Sequence, residues 1–333
     1  MDKKFYINWH ITNKCNLRCK HCYQDRFDNS DDITFDKIVS VFKNITNTLE
    51  KWNKKLIVTV TGGEPFLKQE LLKILYLLDK NNLVEKINII TNGTILNEEI
   101  LKIKNKIFKF DTLFISLDGT TPDVNDNIRG KNVFNKVIKN IQIFKENKYK
   151  IVIMFVVSNF NFDNSFNLYN FSRSINVDGF IIERFIPLGQ SSNQKKQVLN
   201  GQQIQSLYKK IFEDTNCEYE EKFSALYRSL YVKFKKDKSD LFGALCSARN
   251  CGICVLPDAT VLPCRRFYLP IGNLLKDDLD IIWSSSEILK KIQNKKNYYG
   301  KCRDCKIKNC YGCRALTFAL TNNYLGQDIQ CLL

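Results

Sequence analysis

An alternation restricts the fold of this chain more than any other feature. Between residues 5 and 186, apolar runs alternate with amphipathic segments. The runs predict strands at 5–11, 56–60, 86–90, 112–117, 150–157 and 179–186. Apolar residues at 3.6-residue spacing predict helices at 34–52, 69–80, 133–147 and 164–176, with another opening at Asn97. Ile38, Val41, Phe42, Ile45, Leu49 and Trp52 share one such face. Continuous apolar strands separated by helices imply an α/β fold with a parallel sheet buried under helices. Such sheets gather functional groups at the carboxyl ends of their strands. Four polar motifs fall there: a cysteine loop at 13–24, Thr61-Gly62-Gly63-Glu64-Pro65, Thr91-Asn92-Gly93-Thr94 and Ser116-Leu117-Asp118-Gly119.

The cysteine loop carries the chemistry. Cys15, Cys19 and Cys22 stand in a C-x3-C-x2-C spacing that lets three thiolates converge. A structural zinc takes four ligands, and most iron–sulfur clusters take four cysteines. Three suggest a four-iron cluster with one iron left open to a non-protein ligand. A second cysteine region begins at Cys246 and continues through Cys251, Cys254, Cys264, Cys302, Cys305, Cys310, Cys313 and Cys331. Taken alone, 302–313 reads as a zinc ribbon, and spacing does not separate zinc from iron–sulfur. Thirteen cysteines, an odd count, in a long chain with no signal peptide argue against disulfides and for a reduced, cytoplasmic setting. Only His10 and His21 are histidines, so cysteine must carry almost any metal chemistry. No run reaches the roughly 18–20 apolar residues a membrane span requires. Residues 187–200 read as a linker, followed by helices at about 201–214 and 222–235. Cys217 reads as a helix-end cysteine; Cys254 reads as a buried thiol, with replacement of Cys251 as a ligand and contact with substrate as alternatives.

Together these motifs resemble the radical SAM enzymes, and the later cysteines resemble the SPASM extension that such enzymes can carry. The resemblance covers nearly the whole chain. It implies a partial (β/α)6 radical SAM barrel over 1–190, packing helices over 191–240 and an auxiliary-cluster domain over 241–333. It also implies S-adenosylmethionine and three [4Fe–4S] clusters as cofactors, hence oxygen sensitivity. Carried over by motif, Cys15, Cys19 and Cys22 hold the open cluster. Cys246, Cys251, Cys264 and Cys313 hold the first auxiliary cluster, and Cys302, Cys305, Cys310 and Cys331 the second. Gly62, Gly63, Glu64 and Pro65 receive the amino end of S-adenosylmethionine, with the Glu64 carboxylate toward its ammonium. His21 lies near the adenine; Asn92, Ser116 and Asp118 follow the same strand-end motifs, the last two toward the ribose. Arg129 and Glu183 are candidates for the cofactor carboxylate or the sheet mouth. One departure is Ala259, where the SPASM pattern usually has glycine; the backbone there is expected to differ, since Ala resists positive φ.

Enzymes of this kind mostly modify peptides or proteins by crosslinking or oxidation, which is the first reading. Sulfatase formylglycine maturation ranks lower, because Arg265 and Arg266 follow Cys264 where those enzymes carry an acid. Decarboxylation of a haem precursor is a third reading. The arginine pair would then bind propionates, as it would a peptide carboxylate, or it is surface charge. Only 14 residues precede Cys15, so a leader peptide would need a separate binding protein or an edge strand. The formal charge of +16 suits an acidic ferredoxin or flavodoxin as electron donor. It would also suit a zinc-bearing nucleic-acid binder, but that reading leaves Gly-Gly-Glu-Pro and the strand–helix core unexplained. Neither nucleic acid nor membrane is therefore expected as a partner.

Overall fold

The computed structural model describes residues 3–220 and 222–332. Six strands form its centre: β1 (Lys4–His10), β2 (Lys55–Thr61), β3 (Val84–Thr91), β4 (Phe110–Ser116), β5 (Ile151–Val157) and β6 (Gly179–Arg184). They lie parallel and in chain order. This is the α/β fold with a parallel sheet that the resemblance implied. Val58, Val60, Ile87, Ile89, Leu113, Ile115, Ile151 and Ile153 are almost wholly excluded from water. These alternate positions form one fully buried face; the other is buried along most of β5 but only half-buried at Ile57, Thr59, Ile90 and Phe114. Helix Phe35–Lys51 buries Ile38, Val41, Phe42, Ile45 and Leu49 against the sheet.

The C-terminal half extends the same sheet from both edges. β7 (Ser229–Phe234) and β8 (Ser239–Ala244) add antiparallel strands beyond β6. β9 (Gly252–Val255) pairs parallel with β1, and β10 (Thr260–Leu262) and β11 (Gly272–Asn273) continue outward. The cysteine-rich region is thus joined by backbone hydrogen bonds to the strand that feeds the first cysteine loop. Among the described residues, no helix is long and apolar enough to cross a membrane.

Two expectations fail here. The helix expected at 222–235 is a short helix, Lys222–Leu226, followed by β7. Leu230 and Val232 are buried while Tyr231 and Lys233 are less so, the period-two pattern of a strand. The open edge of β6 needs a hydrogen-bonding partner, and that need overrides the helical spacing. Ala259 is the second. It keeps the left-handed backbone of the glycine it replaces, at φ 68°. Its N–H donates to Leu256 O at 2.9 Å and its carbonyl accepts from Leu274 N at 3.0 Å. The turn is held from both sides, offsetting a strain of about 1–2 kcal/mol.

Candidate active site

The first cysteine loop is fastened to its neighbours by backbone. Gly63 N–H donates to Thr12 O and Glu64 N–H to Lys14 O, each at 2.8 Å. Lys20 N–H reaches Ile128 O at 2.8 Å, tying the loop to helix Pro122–Arg129. The glycines are needed for this zipper. A Cβ on Gly62 would collide with Thr12 O, and one on Gly63 with Lys14 O and Asn13 O. Gly62 also holds φ at 143°. The close approach anticipated toward a ligand is therefore, first of all, an approach to the cysteine loop itself.

Cys15, Cys19 and Cys22 line one cavity at the carboxyl ends of the strands. His21, Gly62, Gly63, Asn92, Ser116, Arg129 and Glu183 share its wall. Asn92 sits between two motifs: its Nδ2 donates to Asn16 at 2.9 Å and lies 3.9 Å from Cys15 Sγ. Leu17 N–H also points at Cys15 Sγ, at 3.4 Å. Burial pushes the Cys19 thiol up to about 11 and Cys22 to about 12. Without a metal these groups stay protonated at neutral pH, so metal loading must release protons.

Three expected residues stand behind the wall instead of on it. Glu64 is fully buried. Its Oε1 accepts from Thr91 Oγ1 at 2.8 Å and from Phe66 N–H at 3.0 Å, and its Oε2 from Asn92 N–H at 2.7 Å. Burial pushes its pKa up to about 7 against those donors. Its carboxylate positions the Thr91–Asn92 loop, because all three donors are backbone or side-chain groups of the protein. Pro65 is buried at the start of the 3-10 turn Pro65–Leu67. Asp118 is likewise fully buried and is not on the cavity wall. His21 Nε2 lies 2.7 Å from its Oδ2 and Arg129 Nη2 2.6 Å. Val156 N–H donates to Oδ1 at 2.7 Å. Burial alone would raise the Asp118 pKa, but Arg129 and then His21 hold it below the ordinary carboxylate range. Asp118 thereby fixes the rotamers of two residues that do reach the cavity.

Glu183 reaches the mouth of the sheet but is not free there. Arg265 grips its carboxylate in a short ion pair, and Arg266 lies 3.6 Å away. The arginine pair is thus half-buried and paired, not surface charge. The Glu183–Arg265–Arg266 knot forms a partition. All three line the first cavity and also a second one of about 270 Å³. Cys246, Cys264 and Cys313 line that second cavity. Cys251 is not on its wall; its carbonyl accepts from Tyr6 N–H at 2.7 Å, at the start of β9. Cys254, within β9, is fully buried.

A third cavity, of about 450 Å³, is lined by Cys302, Cys305, Cys310 and Cys331. Arg228, which the sequence reading missed, lines both the second and third cavities. Its Nη1 pairs with Asp328 Oδ2 at 2.6 Å and its Nη2 lies 3.8 Å from Cys310 Sγ. Nothing in sequence marks Arg228, which lies 82 residues before Cys310. Breaking this pair by Arg228→Met should destabilise the protein by about 3–5 kcal/mol, because a buried Asp328 loses its countercharge. Adding Asp328→Leu should restore much of the loss, a comparison that thermal unfolding of both variants makes.

The donor sets suit clusters better than single ions. Among the described residues, no group of three His, Cys, Asp or Glu side chains closes on a point where one metal ion fits. A zinc ion needs sulfurs at about 2.3 Å from a common centre. Here the thiols ring open cavities, as a larger inorganic core requires.

Comparison with known proteins agrees with this geometry. The Radical SAM superfamily model matches residues 9–168, and the SPASM iron–sulfur cluster-binding domain matches residues 246–306. An AdoMet-dependent heme synthase of Methanosarcina barkeri is 23% identical, over 98% of this chain and 95% of its own length. Streptococcus suis SuiB bound to S-adenosylmethionine superposes with a TM-score of 0.74 at 17% identity, over 99% of this chain and 77% of that one. The enzyme anSMEcpe with bound AdoMet gives 0.74 at 20% identity, over 98% and 94%.

Proposed function

The chain is a radical SAM enzyme with a SPASM domain, and on that premise we propose that it modifies a peptide or protein. Its cofactors are S-adenosylmethionine and iron–sulfur clusters. We assign the open cluster to Cys15, Cys19 and Cys22, the first auxiliary cluster to Cys246, Cys264 and Cys313 with Cys251, and the second to Cys302, Cys305, Cys310 and Cys331. Bound there, these groups supply an electron and a 5′-deoxyadenosyl radical able to take hydrogen from unactivated carbon.

The chain's own residues do the positioning. The Gly62–Gly63 backbone and Asn92 fix the cavity wall beside Cys15. His21 and Arg129, both clamped by Asp118, present a ring and a cation to the adenosine and carboxylate ends of the cofactor. Gly63→Ala should therefore weaken S-adenosylmethionine binding about tenfold or more, through loss of the Glu64 N–H to Lys14 O hydrogen bond and displacement of the loop. Equilibrium dialysis with labelled cofactor measures this.

The Glu183–Arg265–Arg266 knot carries the choice of substrate. Glu183 pairs with both guanidinium groups, which leaves less of their charge for a porphyrin carboxylate. A peptide needs no such anion site. SuiB has been solved with a precursor peptide, which is consistent with this reading through the shared fold alone. The near full-length similarity to an AdoMet-dependent heme synthase favours the second reading, decarboxylation of a haem precursor. One assay separates them. The reduced enzyme is given S-adenosylmethionine and either a deuterated candidate peptide or a haem-precursor porphyrin. We expect deuterium in 5′-deoxyadenosine and a changed peptide mass. Loss of carbon dioxide from the porphyrin, with the peptide untouched, would establish the other reading.

A further inference from the structure

A cavity of about 460 Å³ adjoins the cysteine loop, where Asn13, Tyr23 and Gln24 line it. Tyr23, Gln24 and Arg265 line both this cavity and the cofactor site, so the two spaces share a wall. His10, the last residue of β1, lines this cavity and is 1% exposed. Neither of its ring nitrogens has a hydrogen-bond partner. Its only close ring neighbour among the described residues is Tyr23, at 5.9 Å between centroids. A buried imidazole left with two unmet groups is costly, and native interiors rarely keep one unless something else satisfies it.

We propose that this cavity is a peptide-binding subsite, in which His10 hydrogen-bonds a backbone amide of the substrate. The proposal rests on the peptide reading above. The chemistry of the ring fits it. Burial first, and the nearby Arg265 second, push the His10 pKa down to about 3, so the imidazole is neutral at working pH. A neutral imidazole offers one N–H donor and one nitrogen acceptor. A peptide backbone presents one carbonyl and one N–H in return. The lining is also selective. Asp25, Asp31 and Asp258 line the cavity together with two arginines, Arg26, paired with Asp31 at 2.8 Å, and Arg265, gripped by Glu183. That acidic rim, on a chain of formal charge +16, favours a peptide with a basic side chain and opposes a polycarboxylate. Arg265 joins this subsite to the Glu183 partition, so a bound segment lies one side chain away from the cofactor cavity.

The chain has two histidines, so histidine-selective 13C and 15N labelling of the holoenzyme resolves His10 from His21. The probe is the blocked peptide acetyl-Gly-Lys-Gly-amide, titrated beside a porphyrin tetracarboxylate. We expect the peptide to shift the His10 ring signals saturably and the porphyrin to leave them in place. Calorimetry on variants gives the second measurement. His10→Leu should weaken peptide binding about tenfold, and His10→Gln, which keeps a donor and an acceptor, should stay within about threefold. Cleavage of S-adenosylmethionine without peptide should be unchanged in both. Unmoved His10 signals, or equal affinity in His10→Leu, would overturn the subsite even if the peptide is processed. A shift caused by the porphyrin alone would overturn the peptide reading along with it. The wild-type titration stands whether or not either variant folds.

Discussion

Cys19→Ala should purify with about four fewer irons than the wild-type chain, and its formation of 5′-deoxyadenosine should fall to background. Three clusters of four irons predict about twelve irons per chain, and a three-thiolate site cannot retain its cluster with two. The effect on activity should exceed a thousandfold, because the lost group supplies the reaction's electron and open coordination site. The later cysteines line separate cavities, so irons held there should stay bound. Iron and sulfide analysis after anaerobic purification gives the first number, and chromatography of the nucleoside product the second. Loss of all iron would mean that the three cavities do not load independently.

Asp118→Asn should have the next largest effect, on stability and on the cofactor cavity together. The substitution keeps the shape of the side chain and removes its charge. Arg129, 6% exposed, then has no anion within the buried triad. Stranding a buried charge costs about 3–5 kcal/mol, which lowers Tm by about 4–7 °C in a chain of this length. The pH dependence has a defined sign. Asp118 is held below its ordinary value of 3.8, so its contribution is complete above that pH and is lost as pH falls through the lower, folded value. The deficit of the variant should therefore be flat between pH 8 and pH 5 and narrow only below about pH 4. Arg129→Met/Asp118→Leu should regain part of the stability but not cofactor affinity. That outcome separates packing from positioning.

The parallel core was legible because burial of the sheet writes itself as apolar runs. The run Ile151–Val157, for example, is apolar from end to end. The strand-end motifs were legible as places, and several of their roles were not. Glu64 and Asp118 read as ligand-facing carboxylates, yet each is spent on holding other groups of the wall in position. Sequence shows that a carboxylate sits beside a glycine turn but not which way it points. The direction depends on donors such as Asn92 N–H and Val156 N–H, 28 and 38 residues away. Long-range pairs were invisible for the same reason: Glu183 with Arg265, and Arg228 with Asp328, join residues at separations of 82 and 100. The helix expected at 222–235 fails at β7 because apolar residues there also recur at helical spacing. Only the unpaired edge of β6 decides for a strand.

The most direct test of the whole account is a single reaction. The anaerobically purified, reduced chain is mixed with S-adenosylmethionine, and methionine and 5′-deoxyadenosine are quantified against bound iron and sulfide. The account predicts both products in equal amounts from a protein with about twelve irons and as many sulfides. Stoichiometric zinc without sulfide, together with intact S-adenosylmethionine, would contradict it.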